Sequence, residues 1–293
     1  MPVKSQAKAQ PTKSQAKVQS VNLEADSVSA NLEPVFNKLI GFEESQKNRL
    51  IIVTGDKGGV GKSTFARGLL HTYQSRQESP IVFEADKSNP QVKRFYGNSG
   101  LTIEETDITN ANKLDAFIDK LEVKVKDDNK KNFKENVKIL MDLPAQSNRF
   151  FFEFIKDMNL FEILQERLKI RTTVVIVLSR VKDCIFQLES LYKIAGESVD
   201  YLIVKNGFFG EEEDFRRYND SEIRKQIFEE NNCICEISMP ELIEHAFDYI
   251  DELTLTFDKA IQPGNRISVE ARTKSWVRKF ESAIQPALPL LRL

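Results

Sequence analysis

No apolar run in this 293-residue chain approaches the ~20 residues that a helix needs to cross a bilayer, and its first residues lack the apolar core of a secretion signal. Both absences predict a cytoplasmic protein. Cysteine is scarce: Cys184, Cys233 and Cys235 are the three present, too few for a disulfide framework and suited to a reducing compartment. Histidine is scarcer, with His71 and His245 alone. The pair Cys233-x-Cys235 is therefore short of zinc partners and reads first as packing on a buried strand, with zinc as the alternative. Neither sign of charge dominates. A formal net charge of −2 gives no global pull toward nucleic acid, so any DNA contact has to use a local basic patch. What remains, 41% hydrophobic and 29% charged, is the composition of a globular chain long enough for one large α/β domain with extensions.

The organising stretch is 50–64. Leu50-Ile51-Ile52-Val53-Thr54 is apolar and β-branched, the pattern of a buried strand. A glycine-rich turn follows, then Lys62-Ser63-Thr64 opens the helical run Phe65-Ala66-Arg67-Gly68-Leu69-Leu70. Strand, glycine turn and helix start in that order form a phosphate cradle. Gly58, Gly59 and Gly61, with Val60 between them, let backbone N–H groups face an anion without a Cβ in the way. The helix start, including Thr64, adds the positive end of its dipole. In such a cradle Lys62 bridges β- and γ-phosphate oxygens and the Ser63 hydroxyl ligates Mg²⁺.

The usual phosphate-loop pattern has glycine at position 56, where this chain has Asp56, and a second lysine precedes the paired glycines. Lys57-Gly58-Gly59-Val60-Gly61-Lys62-Ser63 resembles the deviant Walker A motif of the ParA/MinD ATPases, in the SIMIBI class of P-loop NTPases that includes signal-recognition GTPases and nitrogenase iron protein. The resemblance covers roughly residues 48–262, apart from the region 90–135. It implies ATP and Mg²⁺ as cofactors, and a homodimer bridged by ATP in which Lys57 reaches the partner's phosphates. Further motifs follow in the family's order. Pro80–Asp86 reads as a second buried strand ending Glu84-Ala85-Asp86, with Pro90-Gln91 displaced by the insertion Lys87-Ser88-Asn89. By resemblance Asp86 positions the attacking water and Glu84 supports the Mg²⁺ shell; the alternative is a pair of strand-end carboxylates capping the next turn. Val137–Ala145 reads as a strand ending Asp142-Leu143-Pro144-Ala145 and looks like the family's Walker B element, with Asp142 holding Mg²⁺ through water and Leu143 to Ser147 sensing the γ-phosphate.

Thr172–Leu178 is the least ambiguous strand of the buried parallel kind, and Cys184, Ile185, Leu188, Leu191, Tyr192 and Ala195 form the inner stripe of the helix after it. Asp200–Asn206 is the next strand. By family position Asn206 reads the adenine edge with its amide, although Asn-Gly is also a common turn. The guanine-reading Asn-Lys-x-Asp is absent, since Gly207-Phe208 follows, which favours ATP over GTP. A last strand near Cys233–Ile237 leads to Pro240, which family analogy sets beside the base. Between these strands, Asn112–Lys126 reads helical and Asp127–Asn132 as a charged surface turn. Residues 150–170 form a Phe-rich helix, mostly core, with a contact surface for a second copy or partner as the minority reading.

The ends fall outside the resemblance. Residues 1–30 repeat Lys4–Gln10 as Lys13–Gln19, are polar and basic, and are expected to be a disordered tail; 31–47 carry a short helical extension. Residues 263–293 hold a basic helix, near 266–284, and a tail that Pro286 and Pro289 break. That helix packs plainly, offers Arg266, Arg272, Lys274, Arg278 and Lys279 to non-specific DNA, or lies on a membrane; the prolines disfavour the last. The alternation of strands and helices predicts an α/β fold, a doubly wound, mostly parallel sheet with helices on both faces. The resemblance implies a slow, partner-stimulated ATPase that partitions or positions cargo, in plasmid partition, stability or mobilisation, with a small partner protein stimulating hydrolysis. The alternatives are a nucleotide-gated module that hardly hydrolyses ATP, a MinD-like relative, or an amidoligase on the same scaffold.

Overall fold

Strand β1 (Asn48–Thr54) is buried along its whole length, and its alternating side chains feed two separate cores. Leu50 and Ile52 belong to one, Ile51 and Val53 to the other. This is what a period of two requires of a central strand covered on both faces. Each aliphatic side chain so buried contributes about 1.5–3 kcal/mol. The computed structural model describes residues 48–293 except 56, 133–135, 146–147 and 231–233. The chain divides into two units, 1–38 and 39–293, and everything described belongs to the second. The expectations for 1–30 and 31–47, and those for Asp56 and Cys233, concern residues outside this set.

Six further strands flank β1: β2 (Ile81–Glu84), β3 (Thr102–Glu105), β4 (Lys138–Asp142), β5 (Ile170–Leu178), β6 (Asp200–Asn206) and β7 (Ile234–Met239). They form a seven-stranded sheet in the order β3-β2-β4-β1-β5-β6-β7, and all its pairings are parallel. The helices of six residues or more among the described residues are α1 (Lys62–Ser75), α2 (Gln91–Tyr96), α3 (Ala111–Asn132), α4 (Asn148–Asp157), α5 (Leu160–Leu168), α6 (Asp183–Ala195), α7 (Glu222–Glu229), α8 (Glu244–Glu252) and α9 (Ile267–Ala283). Helices α3 to α7 line the core that contains Ile52, and α1, α2, α8 and α9 line the core that contains Ile51. The fold is the doubly wound one expected, and its parallel strands put every strand's C-terminal end on one edge, where open α/β sheets bind ligands.

Four local expectations need correction. Helix α3 continues to Asn132 instead of ending in a turn at Asp127: the run is polar but holds neither glycine nor proline to stop it. The Phe-rich segment is two helices, broken where Asn159 takes a left-handed conformation with φ 48°. Cys235 is half-buried, because β7 is the edge strand. The C-terminal tail is not broken off by its prolines. Each stands in the first turn of a short helical segment, Gln285–Ala287 and Leu288–Leu291, where a missing N–H is harmless. Leu290 and Leu291 are buried, and the Thr173 hydroxyl donates to the Leu290 carbonyl at 2.6 Å.

Helix α9 is a packed helix. Val269, Trp276, Val277 and Phe280 are buried while Arg272, Lys274, Arg278 and Lys279 are exposed. It lies so close on α1 that a Cβ on Gly68 would come within 2.9 Å of both Trp276 and Phe280. The Phe280, Trp276 and Phe257 rings continue as a stack toward Arg67, whose guanidinium lies 3.4 Å over the Phe95 ring and 5.1 Å from that of Phe257. Arg67 is 3% exposed, and its Nε and one terminal nitrogen have no hydrogen-bond partner among the described residues. Burial lowers its pKa to about 10. Ring faces return only ~1–2 kcal/mol to a cation, less than burial of an unpaired charge takes away. Arg67→Met should therefore unfold at the same urea concentration as the wild type or higher; a loss beyond ~2 kcal/mol would mean that stacking outweighs desolvation.

Candidate functional site

At the C-terminal end of β1 the chain turns through 55–61 into α1. Gly59 and Gly61 take left-handed φ angles of 81° and 100°. Gly61 is also tightly enclosed, since a Cβ there would lie 2.4 Å from the Asn206 amide nitrogen. Both features demand glycine. The loop holds a further obligate glycine that the motif did not reveal: a Cβ on Gly55 would meet Val60 at 2.7 Å and the Val177 carbonyl at 2.9 Å. Its constraint comes from β5, far away in sequence. Gly58 has open space instead. Val60 is buried beneath the loop, and Thr64 is half-buried in the first turn of α1.

Lys62 is buried and its ammonium donates to the Lys57 carbonyl at 2.9 Å. The Ser63 hydroxyl and the Lys62 charge both act on the Asp142 carboxylate and favour its charged form. Asp142 closes β4 beside Val53 of β1; it is 1% exposed, and its Oδ1 has no hydrogen-bond partner among the described residues. Burial pushes the Asp142 carboxyl up to about 7, only partly offset by Ser63 and Lys62. A buried carboxylate oxygen with no donor, adjoining a serine hydroxyl, is the donor set that a hard divalent cation takes. The residues present therefore fit Mg²⁺, and its binding would expel protons from this carboxyl.

Glu84 stands beside Asp142 in register on β2 and is fully buried. Its carboxylate accepts the backbone N–H groups of Val92 at 2.9 Å, Lys93 at 3.3 Å and Asp86 at 3.3 Å. This is the capping arrangement weighed above as the alternative to a metal role: Glu84 fastens the start of α2 to the sheet. Burial and the Asp142 charge raise its carboxyl to about 8 against the pull of those N–H groups. Asp86 is half-buried, and its Oδ1 accepts from the backbone of Ser88 at 3.1 Å and Asn89 at 3.0 Å, so the inserted residues form a turn around it. After β4, the Leu143 N–H donates to the Val53 carbonyl at 3.1 Å. Pro144 and Ala145 of the expected γ-phosphate sensor are half-buried, and its last two positions, 146–147, lie outside the described residues.

Lys57 leaves the loop sideways and pairs with Asp183 of α6 at 2.6 Å, both side chains being about half exposed. Ion pairs so solvated are worth only ~0–1 kcal/mol, so another partner can displace this one. Asn206 ends β6 with its amide between two elements: Nδ2 donates to the Val60 carbonyl at 2.8 Å, and Oδ1 accepts the Phe208 N–H at 3.1 Å. One N–H and one oxygen lone pair are left for a ligand. The Pro240 carbonyl accepts the Trp276 indole N–H at 2.8 Å, which ties the loop after β7 to α9. The thiol of Cys235 is pushed up to about 12 by burial, and no group of three or more metal-ligating side chains occurs among the described residues. Nor is any helix there long and apolar enough to cross a membrane.

No family model matches the chain. Among curated proteins it is similar to Protein MobD of Acidithiobacillus ferrooxidans, 28% identical over 220 residues that cover 74% of this chain and 89% of that one. Among solved structures it is similar to the signal recognition particle receptor FtsY of Elizabethkingia anophelis, at TM-score 0.38 and 15% identity over 62% of this chain and 59% of that one. FtsY of Mycoplasma mycoides gives a TM-score of 0.42 at 13% identity, covering 76% and 73%. A nucleotide-binding protein from Archaeoglobus fulgidus, in complex with ADP, gives 0.41 at 15%, covering 76% and 91%. The chain thus spans about three fifths of the E. anophelis receptor's length. Its own architecture, a glycine loop between the central strand and first helix of an all-parallel sheet, is that of a P-loop NTPase-like fold.

Proposed function

We propose that this chain is a Mg²⁺-dependent ATPase that dimerises around ATP and uses slow hydrolysis as a timer for positioning cargo. The observation that carries the reading is the unpaired, buried Asp142 oxygen beside Ser63 and Lys62. In this reading Lys62 and Lys57 neutralise phosphate charge, Ser63 and Asp142 hold the metal, and Asp86 orients water. A second copy as partner is supported by large apolar side chains exposed after successive strands: Phe150 after β4, and Val181 and Phe186 after β5. Such side chains suit a face that becomes buried. Likeness to a protein named MobD supports the mobilisation branch among the cargo classes. A small partner that stimulates hydrolysis, and non-specific DNA on the exposed cations of α9, belong to the same proposal.

Size-exclusion with light scattering tests the dimer. With ATP and Mg²⁺ the Asp86→Ala protein should double its mass, and adding Lys57→Ala should return it to the monomer. A doubled mass that persists without Lys57 would rule out a bridging lysine. A second reading, a nucleotide-gated module that hardly hydrolyses, is favoured by the carboxylates of Glu84 and Asp86, which already accept backbone N–H groups. Wild-type turnover no faster than that of Asp86→Ala would select it.

A further inference from the structure

The geometry points to Phe208 as the platform on which the nucleobase stacks, an assignment that rests on the nucleotide reading above. Phe208 is 61% exposed although it lies directly behind the buried end of β6. Its position is fixed from three sides. Its N–H is held by Asn206, whose amide also holds the Val60 carbonyl, so one side chain ties Phe208 to the glycine loop. Phe209 meets it edge-to-face, with ring centroids 5.2 Å apart and planes at 87°, and Phe209 itself packs against both cores. Gly207 lies flat on the loop after β7, where a Cβ would come within 2.8 Å of the Met239 carbonyl and 3.2 Å of the Glu241 N–H. The ring is thus an exposed apolar face on a rigid support, next to the loop that would hold the phosphates.

Base recognition at this end of the sheet has few edge contacts to draw on. Half of the Asn206 amide is bound within the fold, and the residue three places on is Phe209 rather than a carboxylate. Stacking then supplies what edge hydrogen bonds do not, and an aromatic face accepts any purine. The phosphates would be gripped by the loop and the base by Phe208, as separable contributions.

Titration calorimetry with Mg²⁺ separates them, using ATP, GTP and inorganic tripolyphosphate against wild type, Phe208→Ala and Phe208→Tyr. Phe208→Ala should weaken ATP and GTP alike by about tenfold, in the range of base–aromatic stacking. It should leave tripolyphosphate affinity unchanged, and Phe208→Tyr should retain both nucleotides. Unchanged nucleotide affinity in Phe208→Ala overturns the platform, as does an equal loss for tripolyphosphate. So does a variant that binds ATP normally when dilute but no longer doubles its mass, because Phe208 would then be a contact between copies. A wild type that binds neither nucleotide nor tripolyphosphate overturns the nucleotide reading itself.

Discussion

Lys62→Ala is expected to lower ATP turnover on the order of 10²–10³-fold, the size of effect seen when one preorganised electrostatic contact to a developing charge is removed. The ammonium is buried in the loop, at 2.9 Å from the Lys57 carbonyl. It also acts on Asp142, whose carboxyl burial holds at about 7. A phosphate entering the loop would find that cation already desolvated and tethered to the loop through the Lys57 carbonyl. Taking it away leaves the γ-phosphate to the backbone N–H groups, the metal and the partner's lysine. The fold should survive, since a buried ammonium contributes little net stability. Phosphate release at saturating ATP, read beside an unchanged thermal melt, is the measurement. Turnover within threefold of wild type would mean that this loop does not grip the γ-phosphate.

The parts of this site that the sequence made legible are those with local causes. The β-branched run before the loop, the glycines and the helix start lie within fifteen residues, and the structure joins them as β1, loop and α1. The inner stripe of α6 was readable because its spacing is helical, and its six expected residues are all buried. What stayed hidden depends on distant partners. Gly55 is required by a β5 carbonyl, Glu84 is claimed by N–H groups at 92 and 93, and Asn206 by a carbonyl at Val60. None of those pairings leaves a periodic trace. The break at Asn159 and the helical turns at Pro286 and Pro289 fail differently: tertiary packing decided between conformations that local propensity left nearly equal.

Asp200→Asn is expected to destabilise the protein by about 3–5 kcal/mol, the usual effect of removing one partner from a buried ion pair. Asp200 starts β6 opposite Thr173, and Arg49 and Arg171 are neighbours in register on β1 and β5. Asp200, Arg49 and Arg171 are all at most 7% exposed. The Asp200 carboxylate receives Arg49 on one oxygen, and Arg171 on the other through Nε at 3.0 Å and a terminal nitrogen at 2.8 Å. Arg49 also donates to the Thr173 hydroxyl at 3.0 Å, and Arg171 to the Ser198 and Glu197 carbonyls at 3.0 and 3.1 Å. Asparagine keeps the shape but leaves two buried guanidinium groups without their anion. Against a total stability of ~5–15 kcal/mol, that loss should lower the melting temperature by about 10 °C. Adding Arg49→Met and Arg171→Met should restore most of it, because an all-apolar replacement no longer strands a charge. The network lies at the N-terminal ends of the strands, away from the glycine loop, so nucleotide affinity of the folded Asp200→Asn protein should match the wild type. A urea midpoint unmoved by Asp200→Asn would mean that water reaches the two arginines.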